Sequence, residues 1–415
     1  MTLAEVLQPA GYHTYMAGKW HLGQNGQEKW PRQRGFERYY GMLAGSGSCF
    51  RPTGLRGLTL DNEALPPPQS ADYYTTDAFT DYALRFLGEQ KDDAPFFLYL
   101  AYNAPHWPLH ARAEDVARFV GHYRSGWDCL RAERNARVRS LKIVDASTAV
   151  ASRDEKVRAW EVLTEEQKTE LDYRMAVYAA QIARMDWHIG RLLADLRAQG
   201  KLENTVIFFL NDNGGCDEPE NDFGGGNRSA INDPAAGSLG AGNPAGGSSY
   251  GKGWANISNI PFRRFKSHLH EGGIATPLIV HWPAGLRKTA GGIITAPACI
   301  NDVMPTVLGL SGAAYPAERN GTKIFPLEGQ TLLPLLVSDA VPGPRWFFWE
   351  QYKNKAVRHG DWKAVQPATS EAWELYNLAV DRTELRNLAA EKSEIVGELT
   401  AAWAGWAATH QVLPK

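Results

Sequence analysis

Two uninterrupted apolar runs, Phe96 to Leu100 and Val206 to Leu210, have the length and residue types of strands buried on both faces. Each runs straight into a polar turn rich in Gly or Pro. Between them Leu171, Met175, Tyr178, Ile182, Met185, Ile189, Leu192 and Leu196 recur at steps of three and four, which draws one apolar stripe along a long helix ended by Gly200. His188 falls off that stripe and is expected at the surface. Thr2 to Leu7 begins the chain as a short amphipathic helix. Strands alternating with helices predict an α/β fold: a mixed, mostly parallel sheet between helices. In such a sheet ligands gather at the C-terminal strand ends, which here deliver His106 and Asp212.

Further along, the texture changes twice. Phe223 to Gly253 is dense in Gly, Asn, Ser and Pro without an apolar period, and is expected to be a long loop, either a substrate-facing lid or plain disorder. After Leu332-Leu333-Pro334-Leu335-Leu336, short strand-like pieces at Trp346 to Glu350, Ala356 to Arg358 and Trp362 to Val365 precede a helix from about Lys392 to His410. The chain therefore divides into a main domain, 1–337, and a small antiparallel α+β subdomain, 338–415, whose tryptophans supply apolar area for its core.

A hydrophobic content of 44%, a charged content of 22% and a net charge of -2 describe a globular chain able to bury a large core. The basic residues are scattered, so nothing argues for a nucleic-acid partner. No apolar run approaches the roughly 20 residues needed for membrane insertion. Cys49, Cys129, Cys216 and Cys299 have neither a disulfide nor a zinc spacing and leave the redox compartment open.

Candidate chemistry begins with Gly18-Lys19-Trp20-His21-Leu22-Gly23. If the segment is extended, Lys19 and His21 share a face, and the flanking glycines let backbone approach a ligand. A lysine point charge beside an imidazole suits a tetrahedral anion. Alone, the pair reads as well as a surface turn, just as Asp212-Asn213-Gly214-Gly215 alone reads as a strand-ending turn.

Three further segments complete a pattern: Ala104-Pro105-His106-Trp107-Pro108, then Asn211-Asp212-Asn213-Gly214-Gly215, then Lys266 followed by Glu271-Gly272-Gly273 and Pro277-Leu278-Ile279-Val280. With Trp254-Ala255-Asn256, Asp302-Val303-Met304-Pro305-Thr306, Gly360-Asp361-Trp362-Lys363 and Glu374-Leu375-Tyr376-Asn377-Leu378, they make the chain resemble a formylglycine-dependent sulfatase of the arylsulfatase type, in the alkaline phosphatase superfamily. The resemblance implies a sulfuric ester hydrolase acting on sulfated aryl compounds or carbohydrates. Lys19 and Lys266 would clamp the sulfate, His106 would protonate the leaving oxygen or bind the sulfate, and His21 would assist release of sulfate from the formylglycine. Asp212 and Asn213 would be half of a calcium site, which is apt because calcium takes oxygen ligands. Glu271 reads equally as a structural partner of nearby cations, and His268 and His270 are expected on the rim of the site.

The family also carries an N-terminal strand ending in paired metal-binding aspartates, then a Cys-x-Pro-x-Arg or Ser-x-Pro-x-Arg segment that supplies the formylglycine. Neither pattern occurs here. Cys49-Phe50-Arg51-Pro52-Thr53 has its Arg and Pro misplaced. The chain thus reads as a sulfatase missing its N-terminal strand and nucleophile, and is expected to be inactive as given. Two alternatives stand: a non-catalytic binder of sulfated ligands, or a phosphodiesterase or phosphonate hydrolase of the same superfamily. One retained pair of metal ligands, with no second cluster of His and Asp, favours monoanionic sulfate over a two-metal phosphate site. No export signal is present, although a periplasmic or secreted location is implied for full-length family members. The oligomeric state is left open.

Overall fold

The computed structural model describes residues 1–218, 248–286, 291–338, 340 and 343–412. Its first element, α1 (Leu3–Leu7), is started by a capping box: the Thr2 hydroxyl accepts the Glu5 N–H, and the Glu5 carboxylate accepts the Thr2 N–H. The chain then enters β1 (His13–Lys19), which lies between parallel neighbours β2 (Arg38–Met42) and β5 (Phe96–Ala101). Two short antiparallel strands, β3 (Leu58–Leu60) and β4 (Glu63–Ala64), extend the sheet beyond β2.

Alternation along β1 divides the core. Tyr15 and Ala17 face a cluster with Tyr40, Met42, Phe79, Phe86 and Leu196, whereas Met16 faces Ala4, Trp20, Phe36 and Tyr39 on the other side. Two apolar layers therefore fix the register of one strand, since a one-residue slip would exchange them. The first layer is closed by α2 (Thr75–Glu89) and by the long helix α5 (Glu165–Ala198), which opens on a Thr164–Gln167 capping box and is followed by Gly200 at φ 69.

The helix predicted from the apolar stripe is present, with one correction. His188 is 1% exposed. Its Nδ1 accepts from Arg191 at 3.0 Å, so its Nε2 donates to Asp77 of α2 at 2.7 Å. Asp77 also takes Arg184 and Arg112, and this company holds its carboxyl well below the usual range.

The two apolar strands need a second correction. β5 and β6 (Ile207–Leu210) are only half-buried, with Tyr99 46% and Leu210 38% exposed. The reason lies in the ladder: β6 pairs antiparallel with β7 (Leu278–His281), and among the described residues nothing bonds the outer edge of β5. The sheet is thus mixed, with its two portions separate.

Three tryptophans pack the outer layer against α5. Trp127 on α4 (Gly126–Ser140), Trp160, and Trp254 on α6 (Lys252–Ser258) pack edge to face, with ring centroids 4.8 to 5.6 Å apart. Phe265 belongs to the same cluster, which anchors the turn bearing Lys266. The C-terminal portion matches its prediction: an antiparallel meander, Trp346–Gln351, Asn354–His359, Trp362–Gln366 and Glu374–Asn377, covered by a helix at Ser393–Thr409. Of the Phe223 to Gly253 loop, residues 223–247 lie outside the described residues.

Candidate active site

Lys19 ends β1 and His21 lies just beyond it, where the Trp20 and His21 N–H groups still donate to Met42 and Leu43. The expected extended alternation breaks at His21, whose φ is 57. Its ring fills the space over Gly45, where an added Cβ would lie 2.4 Å from the imidazole. Gly18 also has a different use from the one expected. At φ 121 its missing Cβ would sit 1.9 Å from the Ala101 carbonyl oxygen, so this glycine lets β1 pass β5 and does not admit a ligand.

His106 follows β5 in a turn closed by its own N–H on Asn103. Its Nδ1–H donates to the Trp107 carbonyl at 2.6 Å, which leaves Nε2 as the nitrogen free to serve a ligand. Burial first, then the charges of Lys266 and Lys19, push the imidazole pKa down to about 4 against the Trp107 carbonyl and Glu218, which favour the proton. Lys19 is lowered by burial, opposed by Asp212 and reinforced by Lys266. His21 is lowered by desolvation, then by Lys19 and Lys266, against Asp212. Lys19, His21, His106, Asp212 and Lys266 thus share one electrostatic neighbourhood, although they span much of the sequence.

Two turns set back to back hold the last pair. Lys266 N–H donates to the Gly215 carbonyl, Gly214 N–H to Gly273, and Gly215 N–H to the Asn259 side chain, whose amide donates to the Arg264 carbonyl. Arg264 and Ser267 flank Lys266 with φ values of 69 and 74, a conformation that costs non-glycine residues energy and is held by these bonds. An added Cβ on Gly214 would lie 1.9 Å from the Gly272 oxygen. Only glycine permits this approach.

Lys266 Nζ faces the carboxylate of Glu218 at 3.9 Å, and the Trp107 indole N–H donates to the same carboxylate at 3.4 Å. Sequence reasoning did not single out Glu218, since no motif marks it and both partners are far away in the chain. His270 and Glu271 belong elsewhere. His270 is 1% exposed and pairs with Glu374 at 2.8 Å, so it is not on the rim. Glu271 is buried against Lys363 and Arg382, which gives it a structural role. His268 packs near the Phe265 ring.

Asp212 is exposed, and Asn213 donates its amide to the Gly214 carbonyl. These two residues offer three side-chain oxygens, against the roughly 6 to 8 that calcium takes. Among the described residues no group of three His, Cys, Asp or Glu side chains could hold a metal. The residues described do not by themselves make a calcium site. Cys49 is fully buried and its thiol is pushed up to about 11 by desolvation, far from the reactive state of a nucleophile.

An α/β sheet thus carries Lys19, His21 and His106 at or just past its strand ends, with Lys266 in a turn whose charge reaches all three. The family model for Sulfatase matches residues 1–313, and this chain belongs to the sulfatase family. It is 30% identical to an uncharacterized sulfatase of Schizosaccharomyces pombe over 97% of this chain and 75% of that one. It is 32% identical to the arylsulfatase of Klebsiella aerogenes over 80% of this chain and 72% of the relative. A solved protein in complex with its substrate D-glucosamine-2-N,6-O-disulfate has the same fold, with a TM-score of 0.62, 19% identity and coverage of 99% and 82%. No helix among the described residues is long and apolar enough to cross a membrane.

Proposed function

We propose that this site binds the sulfate of a sulfuric ester between Lys19 and Lys266. The observation that carries the reading is the perturbation of Lys19, His21 and His106 by Lys266, with Asp212 acting on the first two and Glu218 on His106 and Lys266. Two ammonium groups in a partly desolvated pocket without an acidic excess favour an anion, and each charge-assisted contact contributes about 1.5–3 kcal/mol. Cleavage of the ester breaks the S–O bond, and the departing oxygen takes up a proton. His106 Nε2 is the group to supply it. An empty pocket keeps His106 neutral, whereas a bound anion favours the imidazolium and loads the acid as substrate arrives.

The nucleophile is the missing part. With Cys49 buried and no Cys-x-Pro-x-Arg or Ser-x-Pro-x-Arg segment in the sequence, the chain as written binds sulfate esters without turning them over. Asp212 and Asn213 are proposed as part of a calcium shell that needs further carboxylates. Among the described residues nothing bonds the outer edge of β5, which leaves that edge able to accept another strand. The test pairs two assays on the purified chain with 4-nitrophenyl sulfate. Calorimetry should detect binding that Lys19→Ala and Lys266→Ala abolish, while nitrophenol release stays at background. Binding indifferent to both lysines would refute the assignment, and release lost in His106→Ala would refute the claim of inactivity.

A further inference from the structure

Glu218 places a carboxylate where an anion is to bind. It sits 3.9 Å from the Lys266 ammonium, and its charge reaches His106. Its position is built. The Glu218 carbonyl accepts the Ser249 hydroxyl at 2.7 Å, and the Ser249 carbonyl accepts the buried Arg174 guanidinium at 2.7 Å. The side chain meanwhile receives the Trp107 indole N–H. Trp107 is half-buried, with its ring 4.9 Å from that of His106, at the mouth of the proposed sulfate pocket.

An incoming sulfate takes Lys266 as its partner. Glu218, whose side chain is 43% exposed, then shares Lys266 with the new negative charge beside it, a repulsion that a donor on the ligand would relieve. A plain aryl or alkyl sulfate brings none. A sugar sulfate brings hydroxyl or ammonium groups on the carbons near the ester, together with a ring whose apolar face can lie on an indole. A ligand that donates to this carboxylate is therefore preferred over an analogue of the same shape without a donor.

Resting on the sulfate reading above, we propose that Glu218 and Trp107 select a sulfated saccharide, its ring against the Trp107 indole and a hydroxyl or ammonium near the sulfated carbon donating to the Glu218 carboxylate. Of the two substrate classes open to the pocket, carbohydrate and aryl, this wall favours the first.

The experiment is calorimetric titration of the full chain with two ligands of matched shape, methyl glucoside 6-sulfate and cyclohexylmethyl sulfate, in wild type, Lys19→Ala and Glu218→Gln. The wild type should prefer the sugar. Glu218→Gln should weaken the sugar sulfate by on the order of tenfold or more and leave the cyclohexyl sulfate unchanged or tighter. Lys19→Ala should weaken both. Loss of both ligands in Lys19→Ala with the sugar unaffected by Glu218→Gln would overturn the selection role and spare the sulfate site. Binding insensitive to Lys19→Ala, or absent in the wild type, would overturn the sulfate site and this proposal together.

Discussion

At the scale of single residues, His106 gives the sharpest handle. Its folded pKa near 4 lies below the ordinary value of 6.5, so between those pH values the unfolded chain binds a proton that the folded one does not. Stability should therefore rise with pH across that window, by at most about 3 kcal/mol from this group, and be complete above it. Urea unfolding at pH 4.5 and pH 7 in wild type and His106→Gln checks this, the variant showing the smaller difference. Asp212 and Asn213 should bind added calcium only weakly, because most of the oxygen shell is missing; tight stoichiometric binding lost in Asp212→Asn would contradict this. Sequence made Lys19, His106, Asp212 and Lys266 legible because each sits in a motif at the end of a strand or in a turn. Glu218, His188 and His270 were not legible, because what defines them is a partner far off in the chain: Lys266, Asp77 and Glu374.

At the scale of elements, the back-to-back turns at 213–215 and 263–273 decide where Lys266 points. Gly214→Ala drives a methyl into the Gly272 carbonyl and should cost about 1–3 kcal/mol, with weaker sulfate binding as the turn shifts. Gly200→Ala is the control. Its φ of 69 also resists a side chain, but nothing lies near it, so stability should fall by about 1 kcal/mol with binding unchanged. Equal loss of binding in both variants would show that Lys266 is not positioned by this contact. Elements with a strong period, such as α5 and the C-terminal meander, were readable from their own residues. β5 and β6 were not, since an apolar run announces a strand but not which of its edges and faces find a neighbour.

Across the whole molecule, a buried charge cluster ties the C-terminal sheet to the segment that follows Lys266. Lys363 is fully buried, with Glu271 at 2.7 Å on one side and Glu384 at 2.8 Å on the other, and the Glu384 carboxylate also accepts the Glu271 N–H. Lys363→Met leaves the buried Glu384 without its cation and Glu271 with Arg382 alone, and should cost about 3–5 kcal/mol, read as a lower urea midpoint; a change below about 1 kcal/mol would mean that the cluster is not desolvated as described. The same cluster lies directly downstream of Lys266, so the C-terminal portion supports the anion pocket from behind. At this scale, strand ends and turns distant in sequence are predicted to converge around one sulfate-sized volume. Crystals soaked in selenate, with the selenium located by anomalous diffraction, measure this directly. One strong peak is expected within hydrogen-bond reach of Lys19 Nζ, Lys266 Nζ and His106 Nε2, absent in Lys19→Ala. A selenate bound elsewhere, with the pocket lacking a peak, would contradict it.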